Sequence, residues 1–194
     1  FVNTGDAKLL KRTVCRVVNN YPKRVLDNLM NFLGTHDTVR ILNALSSDPV
    51  PKEKTERADY KISDREVAVQ KLKAAAALQY TLPGVPCLYY GDEAGMEGYE
   101  DPFNRRYFPW LSRDESLTDY YRALGRLRAL KELNGGSIKI INAENGVFSF
   151  VRGGALKGVS NMGKCAYELS NAVTDLITGE ELNVLSPMKT IAFY

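Results

Sequence analysis

Two short apolar runs, "NFLG" at 31–34 and "VPCLYYG" at 85–91, flank one long helix-forming stretch, and this arrangement restricts the fold more than any other feature. Each run is too short to be a helix of its own and reads as a buried strand. Between them, residues 64–80 are rich in Ala, Leu, Lys and Gln, all strong helix formers. Ser63 to Glu66, "SDRE", has the spacing of a capping box, and Pro83-Gly84 ends the helix. Strand, helix, strand is a βαβ unit, so the two runs are expected to pair in parallel.

The flanking segments fit an α/β arrangement. Residues 7–20, "AKLLKRTVCRVVNN", put Leu10, Val14, Val17 and Val18 at helical spacing, and Tyr21-Pro22 stops that helix. "RVLDNLM" adds a short helix, whereas "SSDPVPKEKTERADYKIS" is polar, carries two prolines and is expected to be a long exposed loop. "SLTDYYRALGRLRALKELNGG" places Leu117, Tyr120, Leu124, Leu127 and Leu130 on one face. Ser116 is the expected cap, and Gly135 or Gly136 the stop. From Ser137 the pattern changes. "SIKIIN", "GVFSFV", "LKGVS", "KCAYEL", "TDLI" and "TIAFY" are short β-type runs between Asn-Gly, Gly-Gly and Thr-Gly-Glu turns, the spacing of a small antiparallel sandwich. The expected division is therefore 1–136, an α/β portion, and 137–194, a β-sandwich.

Composition excludes some classes. A formal charge of +3, with basic residues scattered, gives no nucleic-acid or anionic-membrane footprint, and no apolar run is long enough to span a bilayer. Cys15, Cys87 and Cys165 are far apart and odd in number, which argues against a disulfide framework and fits reduced thiols in a cytoplasmic setting. With a single His there is no zinc-ligand spacing, and a phosphohydrolase using a His-Asp pair would need further ligands.

In parallel α/β folds the loops after the strands' C-terminal ends build the active site. Here those loops carry the two richest polar groups: Thr35-His36-Asp37 after the first run and Gly91-Asp92-Glu93 after the second. Both are followed by long irregular stretches, which are more often functional than short connections are. An Asp can accept two hydroxyl hydrogen bonds and a His can donate one, which suits a sugar edge. Tyr89, Tyr90, Tyr99, Phe103, Tyr107, Phe108 and Trp110 surround the second loop, and aromatic faces can cover a pyranose. Taken singly, each feature also has a plain structural reading: a turn, a solvated basic patch at 104–106, or core tyrosines.

In order and spacing, "NFLGTHDTVRIL" followed by "LPGVPCLYYGDEAGMEGYEDPFNRRYFPW" resembles the alpha-amylase family of glycoside hydrolases, and looks most like its neopullulanase, cyclomaltodextrinase and maltogenic amylase branch. The likeness is strong from about residue 25 to 135, and "GVFSFVR" and "LITGEEL" are similar to that family's C-terminal domain. It implies the last two strands, with their helices, of a (β/α)₈ barrel, followed by the sandwich. Asp37 matches the family's third catalytic carboxylate, which grips two ring hydroxyls at the cleaved sugar. His36 matches the His on the same sugar, and Arg40, which continues that motif, is expected to bind substrate as well. Asp101 and Arg105 match a pair contacting the next sugar toward the non-reducing side. Gly84 to Glu93 match a mainly structural signature.

The resemblance implies a retaining hydrolase of α-1,4 glucosidic bonds, with α-1,6 bonds as a second candidate, in starch-type oligosaccharides or cyclodextrins, with an α-glucan as partner. It also marks what is missing. The family's nucleophilic Asp and acid/base Glu lie on earlier strands, the Gly-x-Arg-x-Asp motif does not occur here, and the chain starts at Phe1 without Met. The expectation is a C-terminal portion that is inactive alone. A non-catalytic binding or partner subunit of alpha-amylase type is the alternative. No cofactor is evident. Calcium is common in the family, but no dense acidic, oxygen-rich loop requires it here. Two strands cut from a barrel would leave an edge and apolar faces bare, so self-association is expected.

Overall fold

The computed structural model describes residues 1–194. Strands β1 (Met30–Phe32) and β2 (Val85–Cys87) pair in parallel, Met30 opposite Val85 and Phe32 opposite Cys87. They form a two-stranded sheet, not a closed barrel. Pro86 has no N–H to give the ladder, which suits a sheet edge. The strand ends are tied from outside instead. Buried Gln79 donates to Asn31 O (2.7 Å) and Cys87 O (3.0 Å), and Asn31 donates to Pro83 O (2.9 Å).

Helix α1 (Ala7–Asn20) is capped by Asp6, whose carboxylate accepts from Leu9 N at 2.8 Å. Its buried residues Ala7 and Val14 pack with Phe148 and Phe150. Helices α2 (Lys23–Leu26), α3 (Ile41–Leu45) and α4 (Lys54–Arg57) are single turns, the last lying within the stretch expected to be an irregular loop. The long α5 (Arg65–Thr81) joins the two parallel strands. Ala68, Leu72 and Ala74 to Leu78 are all buried, because α5 is flanked by α3, by α6 (Glu115–Arg128) and by the C-terminal sheet. Small side chains let three neighbours approach one helix.

The capping of α5 and α6 departs from expectation. Asp64 occupies the cap of α5 without a side-chain cap bond, and the Ser63 hydroxyl donates to Asp48 Oδ1 at 2.5 Å. The cap of α6 is Asp114, accepting from Leu117 N, and not Ser116. That helix also ends at Arg128, ahead of Gly135. A carboxylate beside the free N–H groups of a first turn gains from the helix dipole as well as from the bond.

After residue 137 the chain is all β. Strands β3 (Ile138–Glu144), β4 (Val147–Arg152), β5 (Leu156–Asn161) and β8 (Lys189–Phe193) make an antiparallel sheet in the order β3-β4-β5-β8. Asn145 and Gly146 both have positive φ in the β3–β4 hairpin, as a two-residue turn of that hand requires. Strands β6 (Tyr167–Thr174) and β7 (Glu181–Leu185) form a separate antiparallel pair. Its Leu185 shares a buried cluster with Val147, Val159, Ile191 and Phe193 of the larger sheet. The principal core crosses residue 136: Leu72, Leu124 and Leu127 pack in one cluster with Leu156, Ile177 and Ala192. No helix is long and apolar enough to cross a membrane.

Candidate functional site

Beyond β1 the chain turns at Thr35–Thr38. Thr35 N donates to Thr38 Oγ1 (3.1 Å), and Asp37 N donates to Thr35 Oγ1 (3.3 Å). Threonine hydroxyls compete well for local backbone groups, which favours a tight turn where a strand stops. The turn holds the His36 and Asp37 side chains outward, 66% and 71% exposed, with His36 Nε2 3.1 Å from Asp37 Oδ2.

The loop after β2 meets this turn. A 3₁₀ turn at Phe103–Arg105 brings Arg105 to Asp37, with Nη2 3.3 Å from Oδ1, while Nε lies 2.9 Å from Asp101 Oδ1. The same Nε donates to His36 O at 3.1 Å. Four of the five residues singled out from the sequence (His36, Asp37, Asp101 and Arg105) therefore form one exposed polar group. Asp37 Oδ1 accepts from Arg105 Nη2, Oδ2 lies beside His36 Nε2, and the carboxylate keeps further lone pairs to offer.

Arg40 is placed differently. Its side chain is buried, with Nη1 3.2 Å from Asp92 Oδ1 and also donating to Tyr90 O. The guanidinium carbon lies 4.3 Å from the Tyr89 ring centre and 4.7 Å from that of Tyr90. Arg40 thus sits behind the loops and presents nothing to a sugar on their surface, a correction to the expected substrate contact. The partners that hold the guanidinium, Asp92, Tyr89 and Tyr90, all lie on the loop after β2, which draws it inward. Burial pushes Asp92 up to about 6, with Arg40 opposing the rise.

The aromatic residues divide. Tyr89 and Tyr90 hold Arg40, Tyr99 is buried against Tyr60, and Tyr107 and Trp110 are exposed. Glu93 turns back on its own loop, accepting from Gly91 N at 2.8 Å. Asn104 carried no signal in the sequence, yet its buried amide donates to both His36 O and Thr38 O, each at 2.7 Å. Only its place between Asp101 and Arg105 could have drawn attention to it. No three His, Cys, Asp or Glu side chains gather as metal ligands.

Polar residues gathered beyond the C-terminal ends of parallel strands, with a helical crossover behind them, define an α/β domain of the kind that builds barrel enzymes. The family described as alpha amylase, catalytic domain, matches residues 3–126, and the chain belongs to this family of glycoside hydrolases. It is 34% identical over 183 residues to an amylopullulanase of Thermoanaerobacter thermohydrosulfuricus, covering 94% of this chain and 12% of that protein. It is 30% identical over 143 residues to a cyclomaltodextrinase of a Bacillus species, covering 72% of this chain and 22% of that protein. An alpha-amylase structure from Anoxybacillus superposes with a TM-score of 0.71 at 26% identity, covering 95% of this chain and 41% of that one. The chain therefore spans well under half the length of each of these.

Proposed function

We propose that this chain supplies one wall of the substrate cleft of a retaining α-glucan hydrolase, cleaving α-1,4 links in starch-type oligosaccharides or cyclodextrins, with α-1,6 links as a second candidate. Asp37 is the transition-state-stabilising carboxylate. His36 binds the same sugar, and Asp101 and Arg105 bind the next. Arg40 braces the site from behind. The observation that carries this reading is the position of Asp37: exposed beyond a parallel strand, with Arg105 donating to Oδ1 and His36 beside Oδ2.

Retaining hydrolysis needs a nucleophile and a proton donor roughly 5–5.5 Å apart. In this proposal both come from residues outside this chain. Asp37 contributes by gripping two hydroxyls more tightly as positive charge develops on the sugar ring, an effect worth several kcal/mol. Arg105 steadies the carboxylate through Oδ1 and leaves its other lone pairs for substrate. Alone, the chain binds sugar weakly, turns nothing over, and associates through the bare edge of β1.

The test compares this polypeptide with the complete gene product, using maltotriose and a cyclodextrin. The complete product is expected to hydrolyse them and to lose at least a hundredfold in kcat on Asp37→Asn. The present chain is expected to show no turnover, and clear turnover by it, free of other amylases, overturns the proposal.

A further inference from the structure

Asn104 is fully buried, and its single amide nitrogen reaches the carbonyls on either side of Asp37: His36 O at 2.7 Å and Thr38 O at 2.7 Å. The two hydrogens of one NH₂ group thereby hold the 36–37 and 38–39 peptide units, which bracket the proposed catalytic residue. The adjacent contacts repeat the pattern. Arg105 Nε also donates to His36 O, and Tyr89 Oη donates to Asn104 O at 3.4 Å, so the bracing residue is itself held. Asp has no hydrogens to give two carbonyls, and Ser has one donor only.

We infer that Asn104 is a positioning residue that sets the reach of Asp37 by clamping the backbone on both sides of it, an inference that rests on the functional reading above. Within itself the turn at Thr35–Thr38 has only long hydrogen bonds, of 3.1 to 3.4 Å, and Asp37 projects into solvent. A catalytic group on such a turn loses its geometry once the clamp is gone. A misplacement of about 1 Å can cost about 10²-fold in rate. The effect falls on kcat more than on KM, because Asp37 acts mainly on the charge that develops in the transition state.

The experiment is a double-mutant cycle in the complete gene product, with kcat and KM counted per folded molecule. Asn104→Ser is the mild variant, keeping one donor, and Asn104→Ala the full deletion; thermal melting of each monitors folding. The expected result is a ten- to hundredfold fall in kcat for Asn104→Ala, a smaller fall for Asn104→Ser, and KM within about threefold. On an Asp37→Asn background the same Asn104 changes are expected to cost almost nothing, because there is no carboxylate left to position. Unchanged kcat in folded Asn104 variants overturns the inference alone. So do losses that simply multiply with that of Asp37→Asn, since a general structural role behaves that way. An Asp37→Asn enzyme with full kcat overturns the functional reading, and this inference with it.

Discussion

Arg40 Nη1 lies 3.2 Å from Asp92 Oδ1, both side chains are out of solvent, and the pair links the loop after β1 to the loop after β2. Gly34 belongs to the same contact, for a Cβ there would come within 2.8 Å of Asp92 Oδ2. The ion pair thus lies directly beneath the two strand ends that carry the site. Breaking a buried pair by removing one partner leaves an uncompensated charge, typically costing 3–5 kcal/mol. Arg40→Met is expected to destabilise by about that amount in urea unfolding. Replacing both partners, Arg40→Met with Asp92→Leu, is expected to recover much of the loss. Equal destabilisation by the single and double variants would show that the pair's charges are not what matters.

The same carboxylate makes a pH prediction. Burial raises Asp92 from 3.8 to about 6 in the folded state. Between these values the folded protein holds a proton that the unfolded chain has released. Stability contributed by this group therefore falls as pH rises from about 4 to about 6, by on the order of 3 kcal/mol. Urea unfolding across that range, wild type against Asp92→Asn, isolates the contribution. The wild type is expected to lose stability relative to the variant as pH rises, and a constant difference would refute the assignment.

The partners of Arg105 are exposed, and under the proposed function the residue serves recognition more than stability. Arg105→Lys keeps the charge but loses the planar fork that reaches Asp37, Asp101 and His36 O together. Unfolding free energy is expected to change by less than about 1 kcal/mol. In the complete gene product kcat/KM for maltotriose is expected to fall by about tenfold, equivalent to about 1.4 kcal/mol. A variant with wild-type kinetics would remove Arg105 from the site.

Met30, Phe32 and Val85 are 61%, 50% and 42% exposed, and β1 has a strand partner on one side only. Beside that edge runs an apolar groove of about 430 Å³, lined by residues that include Leu10, Val14, Val18 and Leu82. Open apolar edges of this kind pair with other chains. Light scattering on the isolated polypeptide is expected to show association that grows with concentration, and Met30→Lys with Phe32→Glu is expected to suppress it. A monodisperse wild-type monomer would contradict this.

The parallel strand pair was legible because helix-forming residues at 64–80 lie between two runs too short to be helices. The group formed by His36, Asp37, Asp101 and Arg105 was legible through motif order. What the sequence concealed was the direction of side chains leaving a turn. Arg40 and Arg105 are alike in type, yet one is buried beneath the loops and the other lies upon them. Asn104 was invisible for a related reason: an Asn in a polar loop is ordinary until its carbonyl partners are known. "TDLI" read as a strand but is a turn, built by the Asp175 carboxylate accepting from Ile177 N, Thr178 N and Thr178 Oγ1. "ELNVL", short and half polar, was passed over and forms β7.

Arg152 in β4 is almost completely buried and donates to Thr81 O at the end of α5, and to Leu133 O and Gly136 O in the segment leading to β3. One side chain thus fastens three stretches of backbone across the point where the composition changes. A protease that nicks the backbone near Ser137 would then leave the halves clasped. They should travel together on a sizing column under native conditions and part only in denaturant, so the antiparallel sheet is inherited with the helices it grips and is not an exchangeable module.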